Sequence, residues 1–436
     1  MTGKSGSSIA ELIQTATKIK PSELKAALLS FLFVFLLMAA YFILRPVRDA
    51  MSSDWSDVEL SWLWTSTFAF SAVAVTLYGA IIPHVRFQRL VPSVYIFFSA
   101  TFIAFYFGSS LLTNPVLVDK TFYVWLSVFS LFHVSVFWSF MSGLFNKEQA
   151  PRLFAFIATG ASAGAVAGPL IPTFFADDIG TMNLLLIAAF LLLLPVPIIG
   201  KLQQLKVSDL GNANLEADLS KQVRLGRNPF SGFMLLFRDR YMLGIALFIL
   251  LYVAMNTVFY FELRDLLREF ERATRAQIWG GIDLVINTLS ILTAIFGTSR
   301  LTTRFGMGTT LALVPVLMIF GWLIVAASPM LAVLVGLQIA RRAGNYAITR
   351  PGREMLFTLV DQETRYKAKP VIDVVVYRGG DMLTAWAFTA VTAALSLGLT
   401  GAAIIAAALA GIWALVGLYL GRSYDRAAAE PANRKD

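Results

Sequence analysis

The sequence predicts an all-α integral membrane protein with about twelve transmembrane helices in two six-helix halves. Three observations predict it. Of the 436 residues, 57% are hydrophobic and 14% charged, against about 25% charged in a soluble globular domain. The apolar residues gather in long unbroken runs of the roughly 20 residues a helix needs to cross a bilayer, without the short alternating segments of an outer-membrane barrel. One long polar segment, residues 201–240, divides those runs six and six.

Residues 1–22 form an N-terminal segment in which Ile9, Leu12, Ile13, Ala16 and Ile19 share one helical face, the pattern of a short helix lying on a membrane surface. The first apolar run is too long for the hydrophobic region of a cleavable signal, and Arg-Pro follows it instead of a small-residue cleavage site. Spans are expected at about 24–45, 60–82, 90–112, 120–143, 152–176 and 181–200, then at about 241–262, 276–299, 307–328, 330–350, 371–397 and 399–420. The halves are thus residues 23–200 and 241–421, with a linker at 201–240 and a tail at 422–436.

Lys and Arg orient the spans. With the N-terminal side taken as inside, the inside segments hold most of the cations, among them Lys20, Lys25, Arg86, Arg89, Lys147, Arg152, Lys201, Arg238, Arg300, Arg341, Arg342, Arg350, Arg353 and Arg422. The outside segments hold Arg48, Lys120, Arg264, Arg268, Arg272 and Arg275, with Arg45 at the membrane edge. Both termini are therefore expected in the cytoplasm. The same asymmetry uses up most of the +9 formal charge, so no nucleic-acid partner is expected.

Composition excludes other chemistry. Cysteine is absent and the histidines are His84 and His133, so disulfides, thiolate nucleophiles and a zinc or haem site are not expected. Thr2-Gly3-Lys4-Ser5 echoes the end of a phosphate-binding loop but lacks the upstream glycine and the strand before it. No nucleophile, metal cluster or pair of catalytic acids converges. Neither an enzyme nor a cofactor is expected, and any transport must run on gradients or exchange.

Two six-helix halves around a cytoplasmic linker is the plan of the major facilitator fold, in which spans 1, 4, 7 and 10 are equivalent and line the central cavity. One phrase recurs on three of them: YFILRPVRD (Tyr41 to Asp49), YFELRDLLRE (Tyr260 to Glu269) and YAITRPGRE (Tyr346 to Glu354). Each has arginine four residues after tyrosine. Two readings stand. The pair is an interfacial anchor, with the ring among headgroups and the guanidinium reaching out. Alternatively it captures an anion, since the arginine fork binds phosphate or carboxylate bidentately. On the second reading Tyr41, Arg45, Arg48, Arg264, Tyr346, Arg350 and Arg353 are substrate-binding candidates. Weaker echoes follow span 2 (Gly79 to Pro92) and span 8 (Gly297 to Leu311), each a glycine before a basic turn.

NYAITRPGREMLFTLVDQETRYKAKPVIDVVVYRGGD (Asn345 to Asp381) resembles the ATP/ADP translocase family, the nucleotide exchangers of plastids and obligate intracellular bacteria. The matching positions include Tyr346, Pro351, Arg353, Glu354, Met355, Lys367, Lys369, Ile372, Asp373 and Arg378. YFILRPVRD and the stretch from Val136 to Pro169 also resemble that family, so the likeness covers most of the chain. It implies nucleotide exchange, ATP for ADP, by a protein of the bacterial inner membrane. It further implies that Arg45, Arg48, Glu148, Glu262, Arg353, Lys369 and Arg378 contribute to binding. The family's lysines after spans 1 and 10 are Arg48 and Arg353 here.

Ionisable residues within spans usually face a cavity or a partner. Asp283 and Asn287 share a face of span 8, and Asp373, Tyr377 and Asp381 share a face of span 11, with Arg378 three residues before Asp381. Asp283 has no cation near it in sequence, so it is the leading candidate for proton coupling, ahead of Asp373 and Asp381, which either couple or fix packing. Gly160, Gly164 and Gly168 in span 5 predict close helix packing. The expected function is a secondary active transporter of an anionic solute, ATP and ADP foremost. Alternatives are proton-coupled transport of another organic anion and a non-transporting membrane receptor or scaffold.

Overall fold

The computed structural model describes residues 19–81, 87–146, 148–212, 231–296, 298–360 and 371–429. The N-terminal amphipathic pattern and the Thr2–Ser5 echo lie outside these residues. Twelve principal helices are present, with no strand among the described residues. We label them α1 (Leu24–Met51), α2 (Asp57–Ile81), α3 (Phe87–Leu111), α4 (Pro115–Leu144), α5 (Ala150–Ile179) and α6, which runs Asn183–Leu193 and then Pro195–Ser208. After a short helix at Ser231–Arg238 come α7 (Arg240–Leu266), α8 (Arg272–Phe296), α9 (Thr298–Ala327), α10 (Leu331–Gly344), α11 (Tyr377–Leu395) and α12 (Leu399–Ala429).

Local chemistry sets several boundaries. Asn114 caps α4, its side chain accepting from the Leu117 amide at 3.1 Å, and Pro115 supplies a first-turn residue that needs no donor. Asp239 caps α7 through the Tyr241 amide at 2.8 Å. Gly180 ends α5 at a φ of 83°. Gly306, at φ 79° and ψ 168°, breaks α9, whose membrane-length part is Gly306–Ala327. Two π-helical segments interrupt the chain, Asn345–Thr349 directly after α10 and Val371–Val376 directly before α11.

Among the described residues nine helices are long and apolar enough to span a membrane. The three that fall short are α8, α10 and α11. Each carries charge within or beside its apolar stretch: Arg272, Arg275 and Asp283 on α8, Arg341 and Arg342 on α10, Arg378 and Asp381 on α11. The chain is a multi-pass membrane protein.

The helices form two compact units: residues 1–51, 69–225 and 271–284 in the first, and 52–68, 226–270 and 285–436 in the second. The first turns of α2 therefore belong to the unit of α7 to α12, and the first turns of α8 to the unit of α1 to α6.

In the first unit α5 lies flat along α1. A Cβ on Gly160 would stand 2.6 Å from the Phe31 carbonyl oxygen, and one on Gly168 would stand 2.6 Å from that of Ala39. Gly164 meets the Phe35 carbonyl in the same way. The three glycines thus present bare backbone to successive turns of α1. In the second unit Gly308 of α9 and Gly421 of α12 face each other backbone to backbone. The core there is aromatic: Trp322 is fully buried against Phe259, with ring centroids 4.4 Å apart, and its indole nitrogen donates to the Met255 sulfur.

Candidate functional site

The end of α1 carries a cluster of alternating charge inside the first unit. Arg45 reaches Asp283 of α8 (Nη1 to Oδ1 3.4 Å) and Asp49 one turn on (Nε to Oδ2 3.6 Å). Arg48 donates to Asp49 through Nη2 at 2.6 Å and Nε at 2.9 Å, donates to the Ser127 hydroxyl of α4, and lies 5.3 Å over the Tyr123 ring. Asp49 and Asp283 are almost fully buried, at 1% and 2% exposed. Further along, Arg272 pairs with Asp119 at 2.9 Å, and Arg275 donates to the Ala50 carbonyl. Asp283, without a cation in its own sequence neighbourhood, is thus supplied with one by another helix. Tyr41 stacks on His133, centroids 4.8 Å apart, and the His133 Nδ1 bonds the Phe129 carbonyl of its own helix.

The second copy of the phrase does the matching work in the second unit. Arg264 stands four residues after Tyr260, as Arg45 does after Tyr41. It is 1% exposed, donates to the Trp55 carbonyl at 2.6 Å and pairs with Asp57 at the start of α2. Arg268 donates to the carbonyls of Ser53 and Trp55, and the Ser53 hydroxyl donates back to the Arg264 carbonyl at 2.7 Å. Lower on α2, the Ser61 and Thr389 hydroxyls meet at 2.9 Å, and Trp386 donates to Thr65. In each unit, then, the arginine four residues after the phrase's tyrosine pairs with a carboxylate, Asp283 midway along α8 or Asp57 at the start of α2.

The third copy is different. Tyr346 and Arg350 are exposed, and Arg353 pairs with the adjacent Glu354 at 2.7 Å. What the π-helical turn at Asn345–Thr349 follows instead is a buried polar cluster centred on Arg341. That guanidinium is 0% exposed. Its Nε and Nη2 donate to the Gln338 oxygen at 3.2 and 2.9 Å, and Nη2 also donates to the Asn256 oxygen of α7 at 2.8 Å. It lies 5.5 Å from the Tyr252 ring centroid and 5.1 Å from that of Phe259. Tyr252 accepts from Asn345 at 3.2 Å and faces Tyr377 of α11. Arg342 is buried beside it.

Arg341 and Arg342, expected among the inside cations, are both buried within α10. Arg341 lies ten residues beyond Leu331 on that helix. A positive-charge tally cannot distinguish a loop arginine from one buried in a bundle. The available signal was the absence of any acidic residue between Leu331 and Arg353 to neutralise the pair.

The remaining candidates are dispersed. Glu148 is exposed before α5, and Glu262 is half-buried on α7. Arg378 pairs with Asp381 at 3.7 Å. Lys369 and the side chain of Asp373 lie outside the described residues, as do most of the two glycine-basic echoes after spans 2 and 8. No group of three or more metal-ligating side chains occurs among the described residues.

No family model matches the sequence, and no curated protein matches it. Solved structures do match in shape. A bacterial homologue of the human lysosomal transporter Spinster, in an inward-facing and unoccupied conformation, superposes with a TM-score of 0.61 at 11% identity, covering 95% of this chain and 100% of that one. The nucleoside transporter NupG superposes with a TM-score of 0.60 at 13% identity, and a single-residue variant of NupG with 0.66 at 14%. Each NupG structure covers 92% of this chain and 99% of its own. The chain has the major facilitator fold. Identities this low carry the fold alone.

Proposed function

We propose that this protein is a secondary transporter that moves an anionic solute by alternating access, and that it exchanges nucleotides, ATP for ADP. It would sit in a bacterial inner membrane with both termini in the cytoplasm. The observation that carries this reading is the set of buried charged residues inside an otherwise apolar bundle, Asp49 on α1, Arg264 on α7, Asp283 on α8 and Arg341 on α10 among them. Buried ionisable groups within membrane helices are costly and often mark a solute pathway. The resemblance of Asn345 to Asp381 to the ATP/ADP translocases supports the nucleotide class, and a nucleoside transporter among the structural neighbours accords with it.

In this mechanism the Arg45–Asp283 pair ties α8 to α1 and the Arg264–Asp57 pair ties α7 to the start of α2. A second reading has one specific observation in its favour. Asp283 is a buried carboxylate that meets Arg45 of another helix, and neutralising it would weaken that contact, which is a coupling that proton-driven transport could use.

Uptake of labelled ATP into proteoliposomes, empty or preloaded with ADP, tests the proposal. Uptake that requires internal ADP and ignores a proton gradient is the expected result. Uptake driven by a proton gradient into empty vesicles selects the second reading. Correctly inserted protein that moves no anion under either condition sinks both and leaves a receptor or scaffold.

A further inference from the structure

We infer that Arg341, with Asn256 and Gln338, is the group that binds the charged end of the cargo, and that the end it takes is an oxyanion, a carboxylate or a phosphate. The inference rests on the transporter reading and assigns its binding chemistry to residues outside the repeated tyrosine–arginine phrases.

Charge balance comes first. At the end of α1, Arg45 and Arg48 face Asp49 and Asp283, two cations against two anions. Arg264 has Asp57. Arg341 is more deeply buried than either Arg45 or Arg48, yet its partners are two amides and two aromatic rings, with no carboxylate among the described residues. Its Nη1 is buried without a hydrogen-bond partner. A buried guanidinium lacking a counter-ion is strongly disfavoured unless something supplies the charge.

Hydrogen-bond capacity sets the ligand's sign. Arginine only donates, so Asn256 and Gln338 must turn their oxygens toward it. Their NH2 groups then point away as donors. Nη1 remains as a buried, charged donor, which an oxyanion accepts and a cation does not. Asn256 and Tyr252 are partly exposed, so the cluster has an accessible side. The π-helical turn that begins at Asn345 is a feature that recurs at functional sites.

Thermal unfolding of the detergent-purified full chain tests this, with ATP, ADP, inorganic phosphate and citrate as probes and adenosine as the uncharged control. At a hundred times its Kd a binding probe should raise the Tm of the wild type by about 5 °C or more. Arg341→Gln should abolish that shift while its own unliganded Tm stays level or rises, because an uncompensated charge has been removed. Arg341→Lys, which keeps the charge and loses the fork, should retain part of the shift. Phosphate and nucleotides shifting without citrate would identify the phosphate form, and the reverse the carboxylate form. An undiminished shift in Arg341→Gln overturns the assignment while leaving transport intact, as does a fall of unliganded Tm with the probe shift retained. Adenosine shifting the wild type as far as ATP, or no probe shifting it, overturns the oxyanion class, and the vesicle assay then judges the transporter reading separately.

Discussion

Replacing Asp283 by Asn removes one anion of the cluster at the end of α1, in which Arg45 and Arg48 both still meet Asp49. At 3.4 Å the gross attraction between Arg45 and Asp283 is roughly 5 kcal/mol at an effective dielectric of about 20. Desolvation of both groups offsets most of it, and Arg45 keeps Asp49 at 3.6 Å and remains 19% exposed in its side chain. Asp283→Asn alone should therefore cost about 3 kcal/mol, the low end for breaking a buried pair. For a unit of roughly this size that lowers Tm by about 5–10 °C. Arg45→Gln should cost a similar amount. The double variant should cost clearly less than the sum, with a coupling energy of about 2 kcal/mol in a thermal-unfolding cycle. Strict additivity would refute the pair, and with it the idea that α8 is tied to the end of α1.

Three further outcomes follow from the packing. Gly164→Val sets a branched side chain against the Phe35 carbonyl and should destabilise the first unit by about 3 kcal/mol or more, whereas Gly143→Ala, with nothing within 4 Å of its Cβ, should be neutral in the same melt. Arg264→Gln removes the donor to Trp55 and the partner of Asp57; hydrogen exchange over residues 52–68 should then speed up by tenfold or more, a local loss of about 1–3 kcal/mol. Asp283→Asn should leave exchange of ATP for ADP in place at reduced rate, while complete loss of pH-driven uptake with intact exchange would favour proton coupling.

The helices were legible because each is a sustained apolar run, and the glycine ladder of α5 because close packing repeats every four residues. Boundaries drifted where charge was partnered. The first span was expected to end at Arg45, yet α1 continues to Met51 through Pro46, its arginines satisfied by Asp49, Asp283 and Ser127. The repeated phrase was visible in sequence, but its partners were not. Asp283 and Asp57 come from distant segments, and no local periodicity announces a cross-helix ion pair. Arg341 was hidden for a related reason: burial within α10 is a property of the bundle, and a linear tally of cations reads it as a loop charge. The facing glycines Gly308 and Gly421 lie on separate helices and carry no joint signal either.

Alternating access is the claim on which the rest depends, and the absence of cysteine makes it directly measurable. Asn256→Cys introduces a lone thiol at the partly exposed edge of the Arg341 cluster while leaving Arg341 and Gln338 in place, so cargo is supplied at concentrations that saturate this variant. In sealed, oriented vesicles, a membrane-impermeant thiol reagent should label it when supplied from either face, and saturating cargo should slow the reaction from one face relative to the other. Labelling from one face only, whatever the solute present, would contradict alternating access and point to a static membrane protein.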